Sequence, residues 1–162
     1  MTIESREEPS EVDGSALLLI PLAALLEYCD PTLDDPWDCG KIDPEDVLNE
    51  VGYTRQRAKP LDYSDEIYSS YEYNIERIAY FVEHGWESTG SDDEPVTVDI
   101  GFAGYTPLHL LADGNHRVAA AKIRGDETIT IDLIGDVAKA EAVFLHGVHP
   151  DDYSRFEQGE LS

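Results

Sequence analysis

The chain has 162 residues and a formal net charge of -24, from 35 acidic and 11 basic residues. A chain of this length suits one domain with a single hydrophobic core. Its negative field repels phosphate polymers and anionic lipid surfaces, which disfavours direct nucleic-acid binding and membrane attachment. The acidity is typical of adaptation to a salty cytoplasm or, alternatively, of a surface that docks on a basic protein.

The polarity of the sequence divides it into a folded middle and two polar ends. We expect a flexible acidic tail over residues 1–14, one domain over residues 15–150 and a flexible C-terminal tail over residues 151–162. Glutamates stand near the N-terminus where a signal peptide needs positive charge, and the apolar run "ALLLIPLAALL" is short and broken by proline. These features predict a cytoplasmic protein without a membrane span.

The first elements follow from apolar spacing and from proline. The continuous run "ALLLI" at residues 16–20 predicts a buried strand, and "PLAALLEY" then predicts a short helix. Residues 29–46 are rich in proline and aspartate, which indicates a loop. Within it, Asp43 as N-cap and Pro44 at the first helical position predict a helix over residues 44–51.

The second half alternates helical and strand patterns. "DEIYSSYEYNIERIAYFVEHG" predicts a long amphipathic helix that ends at Gly85. "VTVDIGF" and "PLHLLAD" predict a hairpin around the turn "AGYT", with His109 packed in its return strand. A helix stopped by Gly125, the strand "TITIDLIG" and a final helix in "DVAKAEAVFLHG" follow. The order predicts an α+β single domain with a small mixed β-sheet flanked by helices.

The stretch "LLADGNHRVAAA" carries the clearest functional pattern. A strand that ends at Asp113 and a helix that begins at Asn115 would direct free backbone N–H groups to the space above the sheet, a favourable place for an anion. Gly114 permits a positive φ or a close approach, and Asn115 can cap the helix. His116 and Arg117 supply further donors, and a guanidinium grips two phosphate oxygens at once.

The same corner has a purely structural interpretation. A DG turn with an Asn cap is common, and Arg117 could pair with Asp99 or Glu127 on the surface. A cation near a helix N-terminus interacts unfavourably with the helix dipole, however, which favours a bound anion at this position.

The segment "LLADGNHRVAAAKIRGDETITIDLIGD" resembles the ParB/sulfiredoxin-like superfamily. In that superfamily a strand ends in a (D)G-x-[HR]-R box, and a helix with small residues, a glycine and a further strand follow. The likeness is best over residues 96–135. It implies a ParB/sulfiredoxin-like fold and a box that binds nucleotide phosphates: CTP in ParB proteins, ATP in sulfiredoxin, and ADP or ATP in related free-serine kinases.

Position by position, the resemblance assigns the phosphate cradle to Gly114, Asn115, His116 and Arg117. It implies that Asp113, at the end of the strand, is a ligand of Mg²⁺ and a catalytic carboxylate or, alternatively, a residue that holds the loop. The kinase-like members take their base from the first strand-helix region, where Glu27 in "LLEYC" is the candidate. Sulfiredoxin has its catalytic cysteine where this chain has Asn115, so the resemblance does not extend to reduction of a cysteine sulfinate.

Two classes of function remain. The first is a nucleotide-binding protein that uses ATP, ADP or CTP with Mg²⁺, as an NTP hydrolase or as a phosphotransferase acting on a small-molecule acceptor. The second is a non-catalytic acidic regulator or inhibitor of phage or mobile-element type, a DNA mimic that docks on a basic protein partner.

Two smaller groups of residues are open to more than one interpretation. Arg55 and Arg57 form another basic cluster, which would meet an outer phosphate or pair with surface acids. Cys29 and Cys39 have no CxxC spacing, so we expect idle thiols.

Overall fold

The computed structural model describes residues 15–53, 69–85 and 95–160. Over these ranges the strands are β1 (Ser15–Pro21), β2 (Val96–Gly101), β3 (Leu111–Asp113) and β4 (Thr128–Gly135). They form one sheet in the order β1-β4-β2-β3, in which β4 runs antiparallel to β1 and parallel to β2, and β3 runs antiparallel to β2. The predicted α+β class with a small mixed sheet is confirmed.

In the described ranges the α-helices lie between β1 and β2, between β3 and β4, and after β4. They are α1 (Leu22–Leu26), α2 (Pro31–Asp34), α3 (Pro44–Glu50), α4 (Tyr71–Tyr80), α5 (Asn115–Arg124), α6 (Val137–His146) and α7 (Tyr153–Glu157). A π-helical turn, Phe81–Gly85, continues α4, and a 3₁₀ turn, Pro150–Asp152, precedes α7. None of the helices in the described ranges has the length and apolarity needed to cross a bilayer.

Two helices begin at residues whose side chains cap the free backbone amides. The Asp43 carboxylate accepts a hydrogen bond from the Glu45 amide at 2.9 Å, and Pro44 occupies the first helical position of α3, as predicted. Ser70 caps α4 by accepting from the Tyr73 amide at 3.2 Å. The earlier part of the predicted long helix, from residue 65 to residue 68, lies outside the described residues.

The core lies against one face of the sheet. Along β4 the buried side chains are every second residue, Ile129, Ile131 and Leu133, because successive side chains point to opposite faces of a strand. The same core cluster contains residues of α1, α4, α5 and α6. The helices therefore cover this face and place the start of α5 at one end of the sheet.

The strand β1 differs from its prediction as a buried strand. Leu17 is 66% exposed and Leu19 is 55% exposed, whereas Ile20 is buried. The strand lies at the edge of the sheet and only one of its faces is covered, so the continuous apolar run does not reflect burial on both sides.

The predicted hairpin is present with a shorter return strand. The residues of the "AGYT" turn are closed by reciprocal backbone hydrogen bonds between Phe102 and Tyr105 at 3.0 Å. Only three residues form β3, however, and residues 107–110 are irregular. The prediction that His109 is a packed core histidine is wrong, because it is exposed and precedes the strand.

Two segments that the sequence predicts as a loop and a tail contain helical turns. The segment 29–46, predicted as a loop before α3, contains α2, which is capped by Asp30 through the Thr32 amide at 3.0 Å. Where the sequence predicts a tail from residue 151, the structure has the 3₁₀ turn and α7. Tyr153 is buried there against a second, smaller apolar cluster.

A buried lysine ties α6 to the turn after β2. The ammonium of Lys139 donates to the carbonyl oxygens of Phe102 and Tyr105, both at 2.8 Å, and to the Thr106 hydroxyl at 2.9 Å. Lys139 is 1% exposed, and burial lowers the pKa of its ammonium. Three partners saturate the three donors of an ammonium, which offsets the cost of burying it.

We expect Lys139→Met to lower the free energy of unfolding by about 3 kcal/mol, because the charge-assisted hydrogen bonds to the turn are lost while the apolar stem is kept. Urea unfolding of the variant measures this. The control is Lys41→Met, which removes an exposed lysine and should change stability little. Equal effects of the two substitutions would contradict a structural role for the ammonium.

Candidate functional site

The turn at residue 114 places the first amides of α5 at the end of β3. Gly114 is the N-cap, with φ +107°, and Asn115 is the first helical residue. The predicted capping role of Asn115 is therefore wrong. Within the described part of the chain no side chain caps this helix, so its N-terminal amides keep the capacity to bind an acceptor.

Gly114 is required at this turn for two reasons. Its φ lies in the left-handed region that residues with a Cβ rarely adopt. A Cβ added here would also lie 2.6 Å from Cγ1 and 2.8 Å from Cβ of Val96 on β2. The glycine thus lets α5 begin directly against β2.

His116 holds α5 to two other parts of the structure. Its Nε2 lies 2.7 Å from Oδ1 of Asn74 on α4, and Nδ2 of Asn74 donates to the Ser70 carbonyl at 2.9 Å. This orientation of the amide makes Nε2 of His116 the donor. The imidazole also stacks on Trp37, with ring centroids 4.5 Å apart and planes 13° apart.

The imidazole of His116 is neutral at physiological pH. Burial, followed by the charges of Arg77 and Arg117, lowers its pKa from 6.5 to about 3. A neutral ring engaged with Asn74 and Trp37 does not provide a cation for a phosphate. The contribution of His116 to an anion site is limited to its backbone amide.

Arg117 lies beneath the first turn of α5. The residue is 8% exposed, and its Nη2 atom lies 3.5 Å from Oδ2 of Asp113. Among the residues that the structure describes, the carboxylate beside Arg117 is that of Asp113, and not that of Asp99 or Glu127. The side chain of Asp113 is 77% exposed whereas that of Arg117 is 10% exposed, so water screens this ion pair from the carboxylate side.

A cleft of about 610 Å³ opens beside the start of α5. Its walls come from residues 28–36 and from residues 108–112, and Asn115 lies at its edge. This volume falls in the range of small-ligand sites. The cleft thus brings Asn115 together with two carboxylates, those of Asp34 and Asp35.

These two acids are residues that sequence reasoning missed. The only signal for them is a DD pair in a loop rich in proline and aspartate, which is typical of a solvated turn. The predicted base Glu27 follows α1, is exposed and is not among the residues that line the cleft. Its neighbours Tyr28 and Cys29 do line it.

The loop that carries the cleft acids is held by its own backbone. Oδ1 of Asp35 accepts from the amides of Cys39 at 2.7 Å and Gly40 at 2.9 Å. Asp35 itself has a φ of 56°, which is rare for a residue with a Cβ and needs such support. In the same wall of the cleft, burial raises the pKa of the Cys29 thiol to about 12, which agrees with the prediction of an idle thiol.

The described residues offer no preformed metal cage. Among residues 15–53, 69–85 and 95–160 no group of three or more His, Cys, Asp or Glu side chains is placed to hold a metal ion. The basic pair Arg55 and Arg57 lies outside the described residues.

Comparison of the chain with protein-family models, with curated proteins and with solved structures found no match.

We expect Gly114→Ala to destabilise the fold more than Gly125→Ala, by about 1 to 3 kcal/mol. Both glycines have positive φ and flank α5, but a Cβ at Gly125 meets nothing within 4 Å, whereas one at Gly114 meets Val96. Denaturant unfolding of the two variants measures the difference. Equal losses of unfolding free energy in the two variants would show that the close approach of Gly114 to β2 does not contribute to stability.

The stability should depend on pH through His116. A folded-state pKa of about 3, below the unfolded value near 6.5, means that the folded protein binds fewer protons, so stability is lost as pH falls below 6.5. His116→Gln keeps an amide donor for Asn74 and does not titrate. From pH 7 to pH 5 the wild type should lose about 2 kcal/mol more than the variant. Parallel pH profiles of the unfolding free energy would contradict this.

Proposed function

We propose that this protein binds a nucleotide, ATP, ADP or CTP, with its phosphates at the N-terminus of α5 and its remaining part in the adjoining cleft. The observation that carries the proposal is the side-chain-uncapped first turn of α5, over the charge of Arg117 and beside a cleft of about 610 Å³. Backbone amides at a helix N-terminus and a nearby guanidinium favour phosphate oxygens.

The acidity of the cleft favours a nucleotide in complex with Mg²⁺ over a free one. Asp34 and Asp35 line the cleft and Asp113 borders the helix start, so a bare polyphosphate would be repelled by these carboxylates. A divalent cation supplies charge neutralisation between phosphate and carboxylate. Asp113 fits the role of carboxylate ligand because most of its side chain is exposed.

The position of each residue around the cleft and the start of α5 suggests its role in the proposed reaction. The amides of residues 115–117 would fix the phosphates, and Arg117 would compensate their charge from beneath. For orientation of an attacking hydroxyl or water, Asp34 and Asp35 are better placed than Glu27, because they line the cleft. Hydrolysis of the nucleotide and phosphoryl transfer to a small acceptor both need such a carboxylate.

Residues 113–117, "DGNHR", are called the DGNHR box here. The resemblance of this box to the ParB/sulfiredoxin-like superfamily supports the same ligand. It ascribes phosphate binding to the four positions that here form the turn and the first turn of α5, Gly114, Asn115, His116 and Arg117. The proposed ParB/sulfiredoxin-like fold and a cytoplasmic location, where ATP and Mg²⁺ are available together, complete this hypothesis.

The proposal predicts that ATP, ADP or CTP with Mg²⁺ raises the melting temperature of the full chain, with a stabilisation of about 2.7 kcal/mol at a hundred times the Kd. Arg117→Gln should weaken binding at least tenfold. Arg124→Gln removes the same charge from the other end of α5 and serves as the control, expected to leave the Kd unchanged. Isothermal titration calorimetry measures both, after circular dichroism has established that each variant is folded.

Binding that survives in Arg117→Gln would contradict the role of the guanidinium. If none of the three nucleotides binds to the wild type, with or without Mg²⁺, the nucleotide proposal fails.

A second candidate, an acidic regulator that docks on a basic protein, is favoured by a separate groove between α3 and α4. This groove of about 490 Å³ is lined by the carboxylates of Asp46, Glu50, Glu72 and Glu76. Such a surface attracts a basic partner through long-range electrostatics that salt screens. Failure of nucleotide binding, together with salt-sensitive capture of a basic protein, would favour this function.

A further inference from the structure

The free edge of β1 is an apolar surface in a strongly acidic molecule. β1 pairs only with β4 in the described sheet. On the face away from the core, Leu17 and Leu19 are exposed, and Ile134 of β4 is 41% exposed on the same face. Leu17 lies opposite Asp132 and Leu19 lies opposite Thr130, while Ile134 is diagonal to Leu17. The two leucines therefore form an apolar strip along the edge strand, and the Asp132 carboxylate lies beside it on β4.

Within the strand itself, this edge lacks three features that often protect a terminal strand. The sequence of β1, "SALLLIP", contains no charged residue, and its one proline is the last residue. Its seven-residue register with β4 has no bulge. Natural edge strands usually carry a charge, an internal proline or a bulge, because an unprotected edge pairs with another strand.

The centre of β1 is symmetric, because Leu18 has a leucine on each side. If two copies of the strand lie antiparallel with Leu18 opposite Leu18, each Leu17 lies opposite a Leu19 of the other copy. A two-fold axis requires this kind of self-complementary surface, in which one patch meets its own copy. The arrangement places four leucines together on the outer face, where cross-strand pairs are stabilising.

We infer that the protein forms a homodimer in which the β1 edges of two copies pair antiparallel around Leu18 and join the two four-stranded sheets into one. The occupant of this edge is a second copy because β1 itself carries no charge in a chain whose net charge is -24, and the Asp132 carboxylate on the outer face lies one strand inside the edge. Two such chains repel each other least where they present no carboxylate.

The repulsion between the remaining surfaces gives the dimer a characteristic salt dependence. Two acidic protomers repel each other over the Debye length, which falls from about 30 Å at 0.01 M salt to about 8 Å at 0.15 M. The dimer should therefore tighten as the salt concentration rises. Association through the acidic groove with a basic partner has the opposite dependence.

Sedimentation equilibrium of the full chain, in buffers from about 0.05 M to about 1 M NaCl, tests the inference. We expect a dimer whose dissociation constant falls with salt and rises at least tenfold in Leu19→Lys. Leu48→Lys is the matched control, because Leu48 on α3 is 54% exposed and the substitution changes the charge equally. It should leave the dissociation constant within twofold of the wild type.

A second measurement tests the register and does not depend on the stability of a lysine variant. In Leu17→Cys/Leu19→Cys the two thiols on one strand are too far apart to join, and mild oxidation should give a covalent dimer that reductant dissociates. Leu48→Cys should remain monomeric under the same conditions. A wild type that is monomeric at all salt concentrations, equal weakening by Leu19→Lys and Leu48→Lys, or no covalent dimer would each overturn the inference.

Discussion

The close approach of Gly114 to Val96 is the constraint on which the site depends. Because no Cβ separates the turn from β2, α5 starts directly at the end of β3, and its first turn meets three other parts of the structure. His116 then reaches Asn74 on α4 and Trp37 in the segment before α3. A bulkier residue at this turn would displace the helix start and, with it, one wall of the cleft.

Where a local pattern determines an element, the sequence is sufficient to predict it. Asp43 and Pro44 begin α3 as expected, Gly125 ends α5, and the alternation in "TITIDLIG" gives β4 with one buried face. A sequence pattern predicts less about burial when the result depends on where the element lies in the fold. The run "ALLLI" has the composition of a strand buried on both faces, yet its place at the sheet edge leaves Leu17 and Leu19 exposed, and only the sheet order reveals this.

The sequence likewise predicts only part of the candidate site. The DGNHR box indicates a turn followed by a helix, and both are present. The state of His116 is beyond local reasoning, because its partner Asn74 lies 42 positions away in the chain and the burial that lowers its pKa comes from the packing of several elements. Asp34 and Asp35 likewise resemble solvated loop residues until the cleft places them beside Asn115. Sequence patterns locate the amides of this site, and tertiary packing determines which side chains surround them.

The Lys139 ammonium affects how one turn of this acidic chain responds to the surrounding salt. Turns whose carbonyl oxygens converge are often held by a bound cation taken from solution, and their order then varies with the ionic medium. Here the cation is covalently attached to α6, lies out of contact with solvent and cannot exchange. The geometry of residues 102–106 is therefore independent of which salts surround the protein, while the carboxylates on its surface respond to every change in them.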